Sequence, residues 1–137
     1  MSLRVGFGIA AVLAAGTFAA GCGSDESSSD AESKTATPQQ ALREIAEVRK
    51  GLDQALSTYK SGDKAAADEQ VGDAYLQHFE LVEGPLEEAD HELNESLEDG
   101  IREELREKIK AGAPATEIDQ LHREIVTNLD KAETALR

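Results

Sequence analysis

The chain has 137 residues, 28 acidic and 14 basic, so its formal net charge at pH 7 is −14. This length allows one small domain. So acidic a chain is poorly suited to binding nucleic acid or anionic lipid, and we expect no nucleic-acid partner. Its single cysteine excludes a disulfide bond within the chain.

Residues 1–21 have the features of a lipoprotein signal peptide. Arg4 provides a basic start, Val5 to Ala20 form an apolar run, and small residues precede Cys22. The run is too short, and too rich in Ala and Gly, for a membrane span. Its end, FAAGC, resembles the lipobox of bacterial lipoproteins, although Ala19 stands where Leu is usual. We therefore expect acylation of Cys22 and an extracytoplasmic protein held at the cell membrane by lipid; plain secretion is the alternative.

Residues 22–37 are predicted to form a flexible polar tether. After Cys22, the segment GSDESSSDAESKTAT contains no apolar residue larger than Ala. Such a segment cannot bury enough surface to offset the entropy cost of ordering. Removing residues 1–21 would leave 13 basic and 28 acidic residues and a net charge of −15, which suits cationic partners.

Residues 38–137 are predicted to form four helices. Each predicted start carries a capping residue: Thr37 with Gln40, then Asp63, Asp90, and Thr116 with Asp119. Gly62 and Gly112 are predicted to end helices one and three, and Gly84 with Pro85 to break helix two. Four helices of similar length with short links predict an all-α fold, an up-down-up-down four-helix bundle.

Carboxylates fall on the apolar faces of helices two and three. At about 100° per residue, Glu83 lies within the apolar arc of helix two, and Glu98 and Glu104 lie within that of helix three. The arc of helix two consists of Val71, Gly72, Tyr75, Leu76, Phe79, Val82 and Leu86. If the two helices run antiparallel, Glu83 and Glu98 lie at one level, near Asn128 of helix four.

The same construction places His78, Glu104 and His122 near one another. Facing carboxylates cannot both stay ionised in a partly buried position without a cation or a shared proton. We therefore predict a metal site between the helices, and its candidate ligands are Glu80, Glu83, Glu98, His78 and His122. The alternative is that these acids pair with Arg49, Arg102 or Lys108, or lie at the solvent-exposed rim.

The segment from Tyr59 to Ile118 resembles the extracytoplasmic helical domain of bacterial high-affinity iron permeases of the oxidase-dependent type. The shared pattern runs from a Gly-Asp turn through Ala-Tyr, Phe-Glu and Leu-Glu pairs to a Gly-Ala-Pro turn. It falls on Gly62, Asp63, Ala74, Tyr75, Phe79, Glu80, Glu83, Leu97, Glu98, Leu105, Arg106, Gly112, Ala113 and Pro114. The resemblance implies iron as the cation and a membrane iron permease as the partner. Because no permease segment accompanies the match, we do not expect the chain itself to transport iron.

No motif indicates catalysis. The sequence has no nucleophile paired with a base, no glycine-rich phosphate loop and no zinc-type Cys or His spacing, so we do not expect an enzyme. The sequence therefore predicts an exported, lipid-anchored helical protein that binds iron or another metal cation and assists a membrane iron-uptake system. The alternative is a structural or protein-interaction bundle with an acidic surface and no metal site.

Overall fold

The computed structural model describes residues 36–137, and these fold into four helices joined by short links. Helix α1 is Pro38–Lys60. Helix α2 covers residues 64–89 and consists of Lys64–Ala74, a π turn at Tyr75–Phe79, and Glu80–Ala89. Helix α3 covers residues 91–111 and consists of His91–Glu98, a π segment at Asp99–Leu105, and Arg106–Ala111. Helix α4 is Ala115–Ala135. The all-α prediction is confirmed for this part of the chain, where no strand occurs.

Several predictions concern residues outside this range. The signal peptide at 1–21, Cys22 and the tether up to residue 35 lie outside the described residues. Within residues 36–137, no helix combines the length and apolarity needed to cross a membrane.

The first three helices begin at the predicted caps. The Gln40 amide donates to Thr37 Oγ1 at 3.3 Å, while the Thr37 amide donates to Gln40 Oε1 at 2.8 Å. Asp63 accepts from an amide in the first turn of α2 at 3.0 Å, and Asp90 does the same for α3 at 3.1 Å. The predicted end of helix three is also confirmed, because Gly112 adopts the left-handed conformation, with φ of 71°. Each cap satisfies amide or carbonyl groups that the helix leaves without partners.

The fourth start and the predicted break in helix two are wrong. Helix α4 follows Pro114 without a side-chain cap, so Thr116 and Asp119 do not form a capping box. Helix α2 does not stop at Gly84 or Pro85 but continues to Ala89 with Pro85 inside it. Proline removes one helical hydrogen bond and crowds the preceding turn. The helix tolerates this because Pro85 is buried against the core, so packing outweighs local propensity.

The core is aliphatic and receives side chains from all four helices, with Phe79 as its one fully buried aromatic ring. Two residues that were predicted to lie within apolar arcs are exposed instead. Leu76 is 59% exposed, and Glu104 is also exposed. Both lie in π segments, where each residue advances by less than 100°, so an arc drawn for a regular helix loses register. The largest fully buried side chains besides Phe79 are Ile45, Leu52, Leu86, Leu97, Ile101, Ile109, Ile118 and Leu129.

Neighbouring helices are linked by polar contacts along their length. The pairs are Glu44 with His78 between α1 and α2, Asp68 with Arg106 between α2 and α3, Ser96 with Asn128 and Lys108 with Glu117 between α3 and α4, and Arg49 with Asp130 and Lys60 with Asp119 between α1 and α4. Helices α1 and α2 approach most closely at Gly51, where an added Cβ would lie 2.8 Å from the Ala74 Cβ. These contacts place α2 beside α3.

Candidate functional site

The candidate site lies where the π turn of α2 faces the π segment of α3. Tyr75 begins the first and Arg102 lies within the second, and the Arg102 guanidinium carbon is 6.0 Å from the centroid of the Tyr75 ring. Glu83 follows the π turn of α2 by one helical turn, and Glu98 immediately precedes the π segment of α3. π segments often occur at functional positions because the wider turn redirects side chains.

Tyr75 provides the hydrogen bond that holds Glu83 in place. The Tyr75 hydroxyl donates to Glu83 Oε1 at 2.5 Å. Tyr75 is 8% exposed and Glu83 is half-buried. Burial raises the pKa of the Tyr75 phenol above its ordinary value, and the neighbouring Glu83 carboxylate raises it further. The phenol is therefore a firmly protonated donor at neutral pH.

Glu83 is an acid in an unfavourable electrostatic position. Burial is the largest influence and raises the pKa of Glu83 above its usual value. The hydrogen bond from Tyr75 and the charge of Arg102 oppose this rise, whereas the charges of Glu98 and Glu80 add to it. Ionised Glu83 is thus stabilised mainly by a phenol and is repelled by two other carboxylates. A cation placed among these oxygens would relieve the repulsion.

Glu98 has a basic partner on its own helix. Arg102 Nη1 lies 2.5 Å from Glu98 Oε1, in an i,i+4 pair whose side chains are 50% and 32% exposed. The pairing of Arg102 with one of the candidate acids was the alternative left open by the sequence, and for Glu98 the structure has this pair. An exposed i,i+4 pair contributes only about 0.3–0.5 kcal/mol, so another cation could displace Arg102 at small cost.

The structure brings Glu80, Glu83 and Glu98 close enough for their charges to interact, but it places the histidines elsewhere. Glu80 is exposed at the edge of the cluster. His78 lies on the α1 side of α2, with Nδ1 2.7 Å from Glu44 Oε2. Asn128 lies near the same level, but it donates to Ser96 Oγ at 3.2 Å rather than contacting the glutamates.

His122 occupies a third location, between α4 and α1. It is 8% exposed, and its Nε2 lies 2.9 Å from Asp53 Oδ1. The geometry does not make this contact a hydrogen bond, so Nε2 is a buried atom without a hydrogen-bond partner among the described residues. Glu104 faces a shallow groove between α3 and α4, beside Leu121 and Glu124. The expectation that His78, Glu104 and His122 meet is therefore wrong, because the helices direct them to three different interfaces.

The donor set of the cluster consists of oxygen atoms. Within residues 36–137, no three His, Cys, Asp or Glu side chains are arranged to hold a metal ion together. The cluster instead offers two carboxylates and the phenol of Tyr75. Carboxylate and phenol oxygens are hard donors, of the kind that hard cations prefer over nitrogen or sulfur.

Sequence reasoning missed Tyr75 as part of the site. It placed Tyr75 in the apolar arc as a core residue, and the ring is indeed buried. Its hydroxyl reaches Glu83, eight positions away, across the π turn. No local sequence signal marks that turn, so the contact becomes visible only with the helix geometry.

The chain matches no family model, no curated protein and no solved structure.

Proposed function

We propose that the protein is an exported, lipid-anchored four-helix bundle that binds a metal cation, iron above all, and assists a membrane iron-uptake system. The binding site is the cluster of Tyr75, Glu83 and Glu98 between α2 and α3. The observation that carries the proposal is the setting of Glu83, which is half-buried, hydrogen-bonded to a phenol and repelled by Glu98 and Glu80. The charge of Arg102 offsets this repulsion only in part, and among the described residues no basic side chain forms a salt bridge with Glu83.

The chemistry of binding follows from the contacts. The cation would take carboxylate oxygens from Glu83 and Glu98, and Arg102 would move from Glu98 towards solvent. Coordination by Tyr75 requires loss of the phenol proton, whose pKa is raised in the free protein. Binding through Tyr75 therefore releases a proton, and affinity should fall as the pH falls.

The proposal also includes the course of the four helices and the attachment of the protein to the membrane. An up-down-up-down course is supported by the polar contacts that link α1 to α2, α2 to α3, α3 to α4 and α4 to α1. Membrane attachment through acylated Cys22 rests on the sequence FAAGC. It is tested by Cys22→Ser, which should move the protein from the membrane fraction to the medium; continued partition with membranes contradicts attachment at Cys22.

The test of the metal site is a set of thermal melts with and without ferric iron, supplied as its citrate chelate. Iron at a hundredfold excess over Kd should stabilise the wild type by about 2.7 kcal/mol. Glu83→Gln/Glu98→Gln keeps the side-chain shapes and removes the charges. It should be at least as stable as the wild type without iron, and iron should no longer stabilise it.

Two controls make the result specific. Glu107→Gln/Glu124→Gln removes the same charge from exposed positions on α3 and α4 and should retain the response to iron. Tyr75→Phe should abolish the visible absorption that a phenolate bound to ferric iron produces in the wild type. A wild type indifferent to iron, beside a double variant that is strongly destabilised without it, would instead indicate a structural cluster and would favour the alternative of an interaction bundle.

A further inference from the structure

Helix α2 carries two exposed leucines on its outer side. Within residues 36–137, large apolar side chains with high exposure are confined to Leu76, at 59%, and Leu81, at 41%. Single exposed leucines are common on protein surfaces and need no explanation. These two, however, belong to one short stretch of one helix, on either side of the last residues of the π turn.

The π turn brings the two leucines closer around the helix axis. In a regular α-helix, residues five apart are separated by about 140°. Because the residues in the turn Tyr75–Phe79 advance by less than 100° each, the separation is smaller here. Leu76 and Leu81 therefore border a common outer strip of α2, one helical turn and a half apart.

The Asp, Glu, Lys and Arg residues that neighbour this strip in the sequence are all acidic. Of the 37 residues from 65 to 101, twelve are Asp or Glu and none is Lys or Arg. Glu69, Asp73 and Glu80 are exposed on α2 beside the leucines. Across the interface with α3, Arg106 is engaged with Asp68 and Arg102 with Glu98. An apolar pair surrounded by acids is complementary to an apolar stripe flanked by Lys or Arg.

A groove beside the strip offers hydrogen-bond acceptors. It lies between α1 and α2, where Gly51 approaches Ala74, and has a volume of about 240 Å³. Its lining includes Gln70, Asp73 and Glu47; Lys50 also lines it and pairs with Glu47 at 3.2 Å. Among the described residues, Gln70 Oε1 is one of the few buried polar atoms without a hydrogen-bond partner. The carboxylates of Asp73 and Glu47 are exposed, so they can accept from a donor supplied by another molecule.

We propose that the outer strip of α2, from Gln70 to Leu81, is a docking surface for a basic amphipathic helix of a partner protein. Leucine-sized side chains of the partner would cover Leu76 and Leu81. Its lysine or arginine side chains would lie against Glu69 and Asp73, and one of them would enter the groove between α1 and α2. At 1.5 Å per residue, the strip is about 17 Å long. An interface of this small size is expected to bind weakly, and salt should weaken it further because its charges are exposed to solvent. This proposal does not depend on the metal site, because neither leucine belongs to the cluster of Tyr75, Glu83 and Glu98.

The test uses a synthetic amphipathic helix of Lys, Leu and Ala with its leucines along one stripe, labelled for fluorescence anisotropy. Leu76→Ser/Leu81→Ser leaves the charge of the protein unchanged and should weaken binding about tenfold, since partial burial of two leucines contributes on that scale. Glu69→Gln/Asp73→Asn should also weaken binding, and more than Glu107→Gln/Glu124→Gln, which removes the same charge away from the strip. Chemical-shift changes on peptide addition should map to α2 and the facing turn of α1.

Each other outcome overturns the proposal. Equal affinities of the wild type and the leucine variant would show attraction by net charge alone. Self-association in sedimentation that Leu76→Ser/Leu81→Ser abolishes would assign the strip to a second copy of the chain, and leucine-dependent binding to phosphatidylcholine vesicles would assign it to a lipid surface. The leucine variant should keep the thermal response to iron, so failure of this proposal is distinguishable from failure of the metal site. Single Leu76→Ser and Leu81→Ser variants provide the same comparison if the double variant does not fold.

Discussion

Helices α1 and α4 differ from α2 and α3 in regularity and in the charges they face. Helix α1 runs for 23 residues and α4 for 21 without a change of helix type, whereas α2 and α3 each contain a π segment. Between α1 and α4, opposite charges meet at short range: Arg49 lies 2.6 Å from Asp130, and Lys60 lies 2.7 Å from Asp119. Between α2 and α3, Asp68 and Arg106 form a complementary pair at 2.8 Å, but the like charges of Glu83 and Glu98 also act on one another.

The comparison identifies features of α2 and α3 that the stability of a helical bundle does not require. Regular helices with complementary pairs are sufficient to bury an aliphatic core. Irregular turns and repelling carboxylates cost stability, and such costs tend to accumulate at functional sites. The α2–α3 side is therefore where we place the metal cluster, while the docking strip uses the outer face of the irregular helix α2.

The largest expected effect tests the position of side chains around the π turn of α2. Phe79 is fully buried, while Leu76, three residues earlier, is 59% exposed. Phe79→Ala should destabilise the protein by about 3–5 kcal/mol, because it removes a buried ring and leaves a cavity. Leu76→Ala should change stability by less than about 0.5 kcal/mol. Urea denaturation measures both, and similar losses for the two variants would mean that α2 is rotated from its described orientation.

The second prediction compares an ion pair from each side of the bundle. Asp68 on α2 is 19% exposed in its side chain and accepts from Arg106 at 2.8 and 3.3 Å, with Lys110 at 3.6 Å. Arg106 lowers the pKa of Asp68 by hydrogen bonding, which indicates a favourable interaction of the ionised form. Asp68→Ala should cost about 1.5–3 kcal/mol, the range for hydrogen bonds to charged groups.

The matched variant on the other side is Asp130→Ala. Asp130 is 67% exposed and pairs with Arg49 at 2.6 Å. It should cost at most about 1 kcal/mol, as is usual for exposed pairs. The difference between the two variants should shrink in acid, because the stability from Asp68 is present above its unfolded pKa and is lost as the pH falls through its lower folded pKa. A larger loss for Asp130→Ala would mean that exposure does not set the strength of these two pairs.

The sequence predicted those features of the fold that depend on neighbouring residues and missed those that depend on tertiary packing. Helix number, most caps and the aliphatic core follow from periodicity and from residues such as Thr37, Asp63 and Asp90, which act within three positions along the chain. Pro85 was misread because the energy that keeps it in α2 comes from tertiary burial, which local propensity does not contain.

The site was predictable in part. The meeting of Glu83 with Glu98 follows from counting turns on two adjacent helices, and the Glu98 to Arg102 pair follows from i,i+4 spacing. The Tyr75 contact and the exposure of Leu76 depend on the π turn, which changes the angle per residue without a local sequence mark. Patterns therefore located the carboxylates, while the side chains around them required the geometry of both helices.

The smallest expected effect concerns His91, at the corner where α2 meets α3. His91 Nδ1 lies 2.6 Å from Glu87 Oε1 on α2, and Nε2 lies 3.5 Å from Glu95 Oε1. The hydrogen bond to Glu87 is the main cause of a raised pKa of His91, and the charges of Glu87, Glu95 and Glu92 add to it. A histidine whose folded pKa exceeds its unfolded value stabilises the protein below the unfolded pKa of about 6.5, and this contribution is lost as the pH rises through the folded pKa.

A double-mutant cycle with His91→Gln and Glu87→Gln isolates this contribution. The coupling between the two positions should be measurable in urea denaturation at pH 5.5, should vanish at pH 8.5, and should shrink in high salt because the pair is exposed. Glu88→Gln, an exposed acid on the same turn, should show no coupling to His91→Gln at either pH. Coupling of equal size at pH 5.5 and 8.5 would mean that a neutral imidazole donates to Glu87. The contact between α2 and α3 at this corner would then be insensitive to pH and would not depend on the charge of His91.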